Sequence, residues 1–451
     1  LATQDFTLIE DILKEWYAPA IVNQIYVKSP LWTQIKKTSK GVSGKRVYIP
    51  LRHTLSEAVG GNVAGTHTLP TAQRIQYDAT YVYQKRLYGR VQVDGYSIDA
   101  SKGKGGWIDV FAGETRGIAE AFAIDVDQQL MGRGTGILGH VVGDFAAGGL
   151  GTEEVEVDDP HGITEADPTY GWFRKGQRIT FWDSVSGSEI APSTASYGDI
   201  ASVDFATNHS ITCTSGCAAA TAALTDGDYV LRKGTGAFTA SNSHSVTTAD
   251  AHATGNGVLM GIDRIIDDDT GIGTSGAESG SDTIEFQGID ATVAAQNWWR
   301  AQRMRTSDTI LTEMKIQEDL DQIAQNTDGD APNLALTTYA LRNKLIEICK
   351  SEKMISNMNF IAGWTGIKYR GGAVNLPIMV HKYCPTKYWY YLNLKYIRFY
   401  TLRKLVWDNS GGGIIKPVTD EDQYEAWFKL YGNLGVDKRN AFGKSTNYTT
   451  S

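Results

Sequence analysis

The chain has 451 residues, 41% hydrophobic and 21% charged, with a formal net charge of −8, which is enough for two or three domains and a sizeable core. The acid surplus excludes a protein that coats nucleic acid along its whole surface, since such proteins carry a basic excess. No run of about 18 apolar residues is available to span a membrane, and no basic start followed by an apolar core reads as a secretory signal.

At the start of the chain, residues 5–27 place Phe6, Ile9, Ile12, Leu13 and Trp16 at helical spacing, with Ile21, Val22 and Ile25 beyond Pro19. The spacing predicts an amphipathic helix, a proline break and a second short turn. An aromatic arm of this kind packs on its own domain or grips another subunit, and Trp16 and Tyr17 are its candidate contacts. Opening on Leu1 fits either processing of the gene product or trimming.

Lys36, Lys37, Lys40, Lys45, Arg46 and Arg52 follow with no acid among them. Such a run is a solvated face or meets an acidic partner. Residues 47–51 read as a strand, 53–70 as a Gly-, Thr- and His-rich loop holding His53 and His67, and 75–93 as the returning strand. There Tyr77, Ala79, Tyr81 and Tyr83 alternate with Asp78, Thr80, Val82 and Gln84, giving an aromatic face and a mixed one. The pair makes a long hairpin. Two strands are marginal on their own in water, so the hairpin leans on something outside its own fold.

Residues 107–131 carry Trp107, Phe111, Ile118, Phe122, Val126 and Leu130 on one stripe, interrupted near Glu114 and bounded by glycines on both sides. This predicts a long amphipathic helix. The chain then turns Gly-rich and acidic, with Glu153, Glu154, Glu156, Asp158, Asp159, Glu165 and Asp167 and no Lys or Arg between them. Short β-like bursts at 177–181, 200–205, 210–214 and 228–232 predict a small barrel or sandwich, a β module inserted over about 150–257. Its far end, 234–257, reads as a loop. Helical signals return at 291–305, at 306–326 and at 334–353. Residues 361–389 read as loop and strand, and 390–404 and 414–432 as aromatic-rich strands joined by a loop at 408–413.

No stretch makes a convincing active site. Gly134, Gly136 and Gly139 match G-x-G-x-x-G, but that fingerprint needs a strand before it and a helix opening at its last glycine. Gly443-Lys444-Ser445 ends like a phosphate-binding loop, yet Lys438 stands where its first glycine belongs. Asp267, Asp268 and Asp269, with Asp263 in reach, are weak candidates for a hard cation, without the alternating spacing of a calcium loop. Of the cysteines, Cys213 and Cys217 lie close, but C-x3-C without a further ligand is poor zinc spacing. Together with Cys349 and Cys384 they read as plain thiols of a reducing compartment.

The order of these elements resembles the major capsid proteins of tailed bacteriophages, in the branch with an extra β domain inserted. The likeness rests on Leu13-Lys14-Glu15-Trp16-Tyr17 in the arm, the helix over 107–131, and Gly288-Ile289-Asp290 leading to Trp298-Trp299-Arg300. It continues in Tyr390-Tyr391-Leu392-Asn393, in Asn433-Leu434-Gly435 and in Arg439-Asn440-Ala441-Phe442-Gly443-Lys444. None is a catalytic signature, so order and texture carry the match.

The resemblance implies an α+β, HK97-like capsid fold. Residues 1–40 would be the N-terminal arm, 41–90 the extended loop, and 91–139 with 396–451 the peripheral domain around a spine helix at 107–131. Residues 140–395 would be the apical domain containing the inserted barrel-like module. It further implies hexamers and pentamers closing into an icosahedral shell, with portal and scaffold proteins as partners and the presence of a decoration protein left open. Packaged double-stranded DNA would be touched weakly and without sequence preference. No enzyme activity, cofactor or membrane is implied; assembly would occur in the host cytoplasm and the product reside in the virion.

Suspected interface residues are Trp16, Tyr17, Lys36, Lys37, Lys45, Arg46, His53, His67, Glu153 and Glu154, the basic run meeting the acids across subunits. Some relatives cross-link through a lysine in the extended loop and an asparagine on a neighbouring subunit; the tip of the loop here holds no lysine and Lys85 lies in the returning strand, so that cross-link is not expected. The alternative is a β-rich surface or secreted protein whose module at 150–257 recognises a glycan or receptor. A cation-dependent enzyme using Asp263 and 267–269 is a third class.

Overall fold

The computed structural model describes residues 30–44, 46–61, 70–96, 110–134, 136–144, 154–160, 163, 172–183, 189–190, 198–204, 209–213, 224–232, 258–267, 285–291, 293–351, 367–371, 374–409, 414–419 and 421–450. In chain order come α1 (Pro30–Gln34), β1 (Lys36–Thr38), β2 (Arg46–Arg52), β3 (Tyr77–Tyr83), β4 (Lys85–Asp94) and α2 (Val110–Met131). They are followed by β5 (Ile137–Val142), β6 (Val155–Asp158), β7 (Arg178–Trp182), β8 (Glu189–Ile190), β9 (Gly198–Asp204), β10 (Ser210–Cys213) and β11 (Tyr229–Arg232). Next are α3 (Ile262–Ile265), β12 (Glu285–Phe286), β13 (Ile289–Asp290), β14 (Gln302–Met304), β15 (Thr309–Ile310), α4 (Glu313–Asn326), β16 (Leu334–Thr337) and α5 (Tyr339–Ser351). The chain ends with β17 (Ile367–Gly371), β18 (Val374–Val380), β19 (Trp389–Leu392), β20 (Ile397–Trp407), β21 (Lys416–Pro417), β22 (Gln423–Val436), β23 (Gly443–Ser445) and β24 (Tyr448–Thr449).

A five-stranded sheet is built on β22, which pairs with β20, β21 and β4, while β1 adds in parallel to β20. Strand β4 shows why one of its faces must be covered. Lys85, Leu87, Gly89, Val91 and Val93 are buried while Arg86, Tyr88, Arg90, Gln92 and Asp94 are exposed, the period-two pattern of a sheet covered on one side. Helix α2 supplies the cover: Phe122 meets Phe428 edge to face at 5.4 Å, and Gly89 brings its backbone close under Ile118. The helix runs unbroken past Glu114, and its two interior glycines, Gly113 and Gly117, are exposed. The expected start at 107 lies outside the described residues.

Strands β11, β5, β6, β10, β9 and β7 form a second sheet that closes through β7–β11 pairing, with β8 appended to β7. Side chains of Leu138, Val155, Val157, Trp172, Phe181, Ile211 and Val230 fill it, as a small barrel requires. The barrel takes in 137–142, upstream of the boundary expected at 150. Gly134 and Gly136, both at φ of +81°, turn the chain from α2 into β5. Gly139 leaves room for the Trp172 ring, which a Cβ would meet at 2.3 Å. Packing and turning therefore account for these glycines.

The third sheet, of order β14-β23-β19-β16-β18-β17, packs against α4 and α5 through Ile316, Leu320, Ile323, Leu341, Leu345, Trp389 and Tyr391. Thr312 caps α4, its hydroxyl accepting the Lys315 N–H. Two expected helices are corrected here. Residues 291–305 hold only a 3-10 turn at Ala294–Trp299 and the strand β14, and the helix expected from 334 begins at Tyr339 because Leu334–Thr337 is a fully buried central strand. A short apolar run has the same sequence texture in either state. The aromatic strand expected over 390–404 is two strands in different sheets, β19 and β20. Cys213 is disulfide-bonded rather than a thiol, while Cys384 is free and buried. Among the described residues no helix is long and apolar enough to cross a membrane.

Candidate assembly surface

The ribbon β2–β3 runs antiparallel over seven residue pairs, Arg46 opposite Tyr83 through Arg52 opposite Tyr77. Its root is fastened to the body. The turn between β12 and β13 has Gln287 and Gly288 at φ of +54° and +82°, as a two-residue hairpin demands. The Gln287 carbonyl accepts the Tyr81 N–H at 3.2 Å. Its amide nitrogen donates to the Thr80 hydroxyl and to the Val436 carbonyl, and its amide oxygen accepts the Val436 N–H, all at 3.1 Å. Gly288 admits the Tyr81 ring and Gly435 admits Val82, positions where a Cβ would lie at 2.2 and 2.5 Å. The mixed face of β3 is thus the buried one: Thr80 and Val82 are inside, whereas Tyr77 is 69% exposed.

The aromatic face is turned outward and organised by one cation. The Arg46 guanidinium lies 5.0 Å from the ring centres of Tyr48 and Tyr81 and 5.8 Å from that of Tyr83. Such contacts hold a charged group against rings without removing it from water. Tyr48 remains 57% exposed, and beyond the ribbon Leu55 and Val59 are 63% and 88% exposed. Past Arg52 the two segments stay side by side, the His53 N–H donating to the Gln76 carbonyl at 3.3 Å. His53 stacks on Trp298, and a cleft of about 800 Å³ is lined by Lys40, Tyr48 and Arg52 together with Trp298, Tyr396, Arg398 and Lys438.

Of the suspected interface residues, Lys36 and Lys37 are exposed on β1, where Lys37 donates to the Trp32 carbonyl at 3.1 Å and sits over its ring; burial lowers its pKa. Arg46 is half-buried against the tyrosines and His53 half-buried against Trp298. Glu154 is exposed beside the barrel and accepts from the Ser210 hydroxyl at 3.1 Å. Trp16, Tyr17, Lys45, His67 and Glu153 lie outside the described residues, as do Asp268 and Asp269.

Asp263 and Asp267 are buried in the main core at α3, among cations. Lys444 is 2.9 Å from Asp263 Oδ1, which also accepts from the Tyr390 hydroxyl at 2.9 Å, and Arg133 is 2.7 Å from Asp267 Oδ2. Burial alone would favour the neutral acid at Asp267, but Lys444 and Arg133 hold it well below the ordinary carboxylate range. Arg439 closes the cluster, donating to the carbonyls of Arg264, Ile265 and Asp267 and lying 4.3 Å over the Phe286 ring. Ammonium and guanidinium groups occupy the places a metal cation would take, so this is an ion-pair knot joining α2, α3 and the C-terminal strands.

Two further carboxylates went unseen in the sequence. Asp319 accepts from Arg305 at 2.9 Å, Tyr391 at 3.0 Å, Ser445 at 2.7 Å and Tyr448 at 2.6 Å, and so pins β23 and β24 to α4. Asp408, in the expected loop at 408–413, is buried beneath Arg403, Lys416 and Lys429 at 2.9, 3.2 and 2.6 Å. The partners stand up to 129 positions away for Asp319, and no local pattern announces them.

No family model matches the chain, and no curated protein matches its sequence. Solved structures match in shape. The fold is similar to that of a chain in the cyanophage A-1(L) capsid asymmetric unit, covering 97% of this chain and 98% of that one with a TM-score of 0.53 at 12% identity. Lower scores, 0.46 at 8% identity in each case, are found for a Mycobacterium phage Bobi chain (99% and 100% covered) and for the capsid of the native GTA particle (97% and 96% covered). At 12% identity, what this chain and the cyanophage chain share is the fold.

Proposed function

We propose that this chain is the major capsid protein of a tailed bacteriophage, a non-enzymatic shell subunit with the HK97-like fold and an inserted β-barrel. The observation that carries the reading is agreement of fold with the cyanophage A-1(L) capsid chain along nearly the whole of both chains. The five-stranded sheet with α2 serves as the peripheral domain and spine, and the six-stranded sheet with α4 and α5 as the apical domain. The barrel is the insertion and the β2–β3 ribbon the extended loop. Subunits join into hexamers and pentamers of an icosahedral head around double-stranded DNA, with portal and scaffold proteins as partners in its assembly.

The physical basis for assembly is the ribbon. It is held at its root by hydrogen bonds and close glycine contacts, yet it leaves Tyr48, Tyr77, Leu55 and Val59 in water. A projecting element with exposed aromatic and aliphatic side chains gains its missing burial from a second subunit. Sedimentation of the purified chain beside a deletion of residues 53–70 tests this. The reading expects large assemblies from the intact chain and a folded small species from the deletion; normal particles from the deletion would count against the ribbon's role.

A further inference from the structure

We propose that the barrel carries a divalent-cation site formed by His140, Asp158 and Asp159, taking a metal that accepts mixed nitrogen and oxygen ligands, of the Mn2+ or Zn2+ kind. The three sit together because of strand register. His140 on β5 is the cross-strand partner of Asp158 at the end of β6, and Asp159 follows at φ of +47°, which swings its carboxylate back toward the imidazole. His140 Nδ1 lies 3.0 Å from Asp159 Oδ2. One donor atom from each of the three residues falls in a group no wider than 4.8 Å.

The 3.0 Å separation of His140 Nδ1 and Asp159 Oδ2 suits coordination. Two donors each about 2.1 Å from one ion and at right angles to one another are about 3.0 Å apart. An imidazole–carboxylate pair at that spacing, with a second carboxylate alongside, gives three positions on one side of an ion and leaves the rest to water. The ligand set of one nitrogen and carboxylate oxygens fits Mn2+ and Zn2+ better than Ca2+, which takes oxygen only.

The surroundings favour a cation as well. Beside the His140 imidazole stand the carboxylates of Asp158 and Asp159. Asp226 belongs to the turn before β11. Its carboxylate accepts the Gly143 N–H at 2.9 Å and its own N–H donates to Asp144 at 3.0 Å, which holds the turn beside the site. The Tyr229 ring packs at 5.1 Å from His140 and fixes the imidazole plane. The His140 side chain is 5% exposed and that of Asp159 15%, so the site is sheltered yet open on the Asp159 side. A bound ion would tie β5 to β6 at the mouth of the barrel, in a part of the chain that the assembly reading leaves without a role.

The test is titration of MnCl2 into the full-length chain, followed by the loss of the free-ion electron paramagnetic resonance signal. Intact protein should remove one equivalent of Mn2+, and Zn2+ should displace it. Asp159→Asn should weaken binding at least ~10-fold, and His140→Gln combined with Asp159→Asn should abolish it, while Glu114→Gln on the exposed face of α2 leaves it unchanged. An unaltered free-ion signal with the intact chain at millimolar Mn2+ overturns the proposal without recourse to any variant. Undiminished binding in a double variant whose near-ultraviolet dichroism matches the parent overturns it equally.

Discussion

His53 stacks flat on Trp298, ring centres 4.9 Å apart and planes 7° from parallel. His53 closes the outward strand of the ribbon and Trp298 sits on the 3-10 turn of the body, so the stack sets the angle at which the ribbon leaves its own subunit. Trp298 also meets Trp299 edge to face at 5.8 Å, which keeps the platform rigid. Trp298→Ala should cost only about 1 kcal/mol of subunit stability, the scale of one aromatic pair. It should shift the mass distribution of the purified chain toward small species, measured by sedimentation. Wild-type assembly with that substitution would show that the stack does not govern ribbon direction.

Lys444 lies between Asp263 and Asp267 in the core, 2.9 and 3.6 Å from their oxygens. Lys444→Met leaves two buried carboxylates with less positive charge than they need, and a loss of about 3–5 kcal/mol is expected. Urea unfolding of the full chain measures it. A change under 1 kcal/mol would mean that Arg133 and Arg264 suffice for the knot.

Asp319→Ala removes the acceptor shared by Arg305, Tyr391, Ser445 and Tyr448. The cost should again be several kcal/mol, of the order seen when one partner of a buried pair is lost. Its signature should be local, with amide exchange speeding up at β23 and β24 before the rest of the chain. Uniform exchange throughout the molecule would contradict the view that this carboxylate specifically pins the C-terminal strands.

Acid should loosen the same core. Asp267 is held below its ordinary value of 3.8, so its share of stability is present above that value and is lost as pH falls through the lower folded value. In the Lys444→Met variant the fall below pH 3.8 should be shallower, because the folded and unfolded values lie closer together. Asp158 acts in the opposite sense. Burial, and then the neighbouring Asp159, push it up to about 6, so it favours the folded state most at acid pH and its ionisation on the way to pH 6 costs stability. Asp158→Asn should flatten that part of the curve in thermal melts run without added metal. Identical profiles for variant and parent would remove Asp158 as a cause.

How far the sequence reveals this architecture depends on whether a residue's fate is decided nearby. The ribbon is legible because period-two alternation in 77–83 is a local property, but which face is buried is not. Thr80 and Val82 of the mixed face are the buried ones, because Gln287 and Gly435, far along the chain, take their hydroxyl and side chain. Helix α2 is legible from its stripe, whereas Leu334–Thr337 is not, because four apolar residues suit a buried strand and a helix turn equally. Barrel closure depends on Tyr229–Arg232 pairing with both Ile137–Val142 and Arg178–Trp182, which no spacing announces. The ion-pair knot is the least legible part: Asp263 and Lys444 are 181 positions apart, and each, read alone, suggested a metal ligand or a phosphate loop.

The most direct test of the central claim is electron microscopy of the purified full-length chain, with its mass in solution taken from the same sample. Closed icosahedral shells, or rings of six and five subunits, are the predicted result. A monodisperse monomer across a range of salt and pH would contradict a capsid role and favour a binding protein built on the barrel.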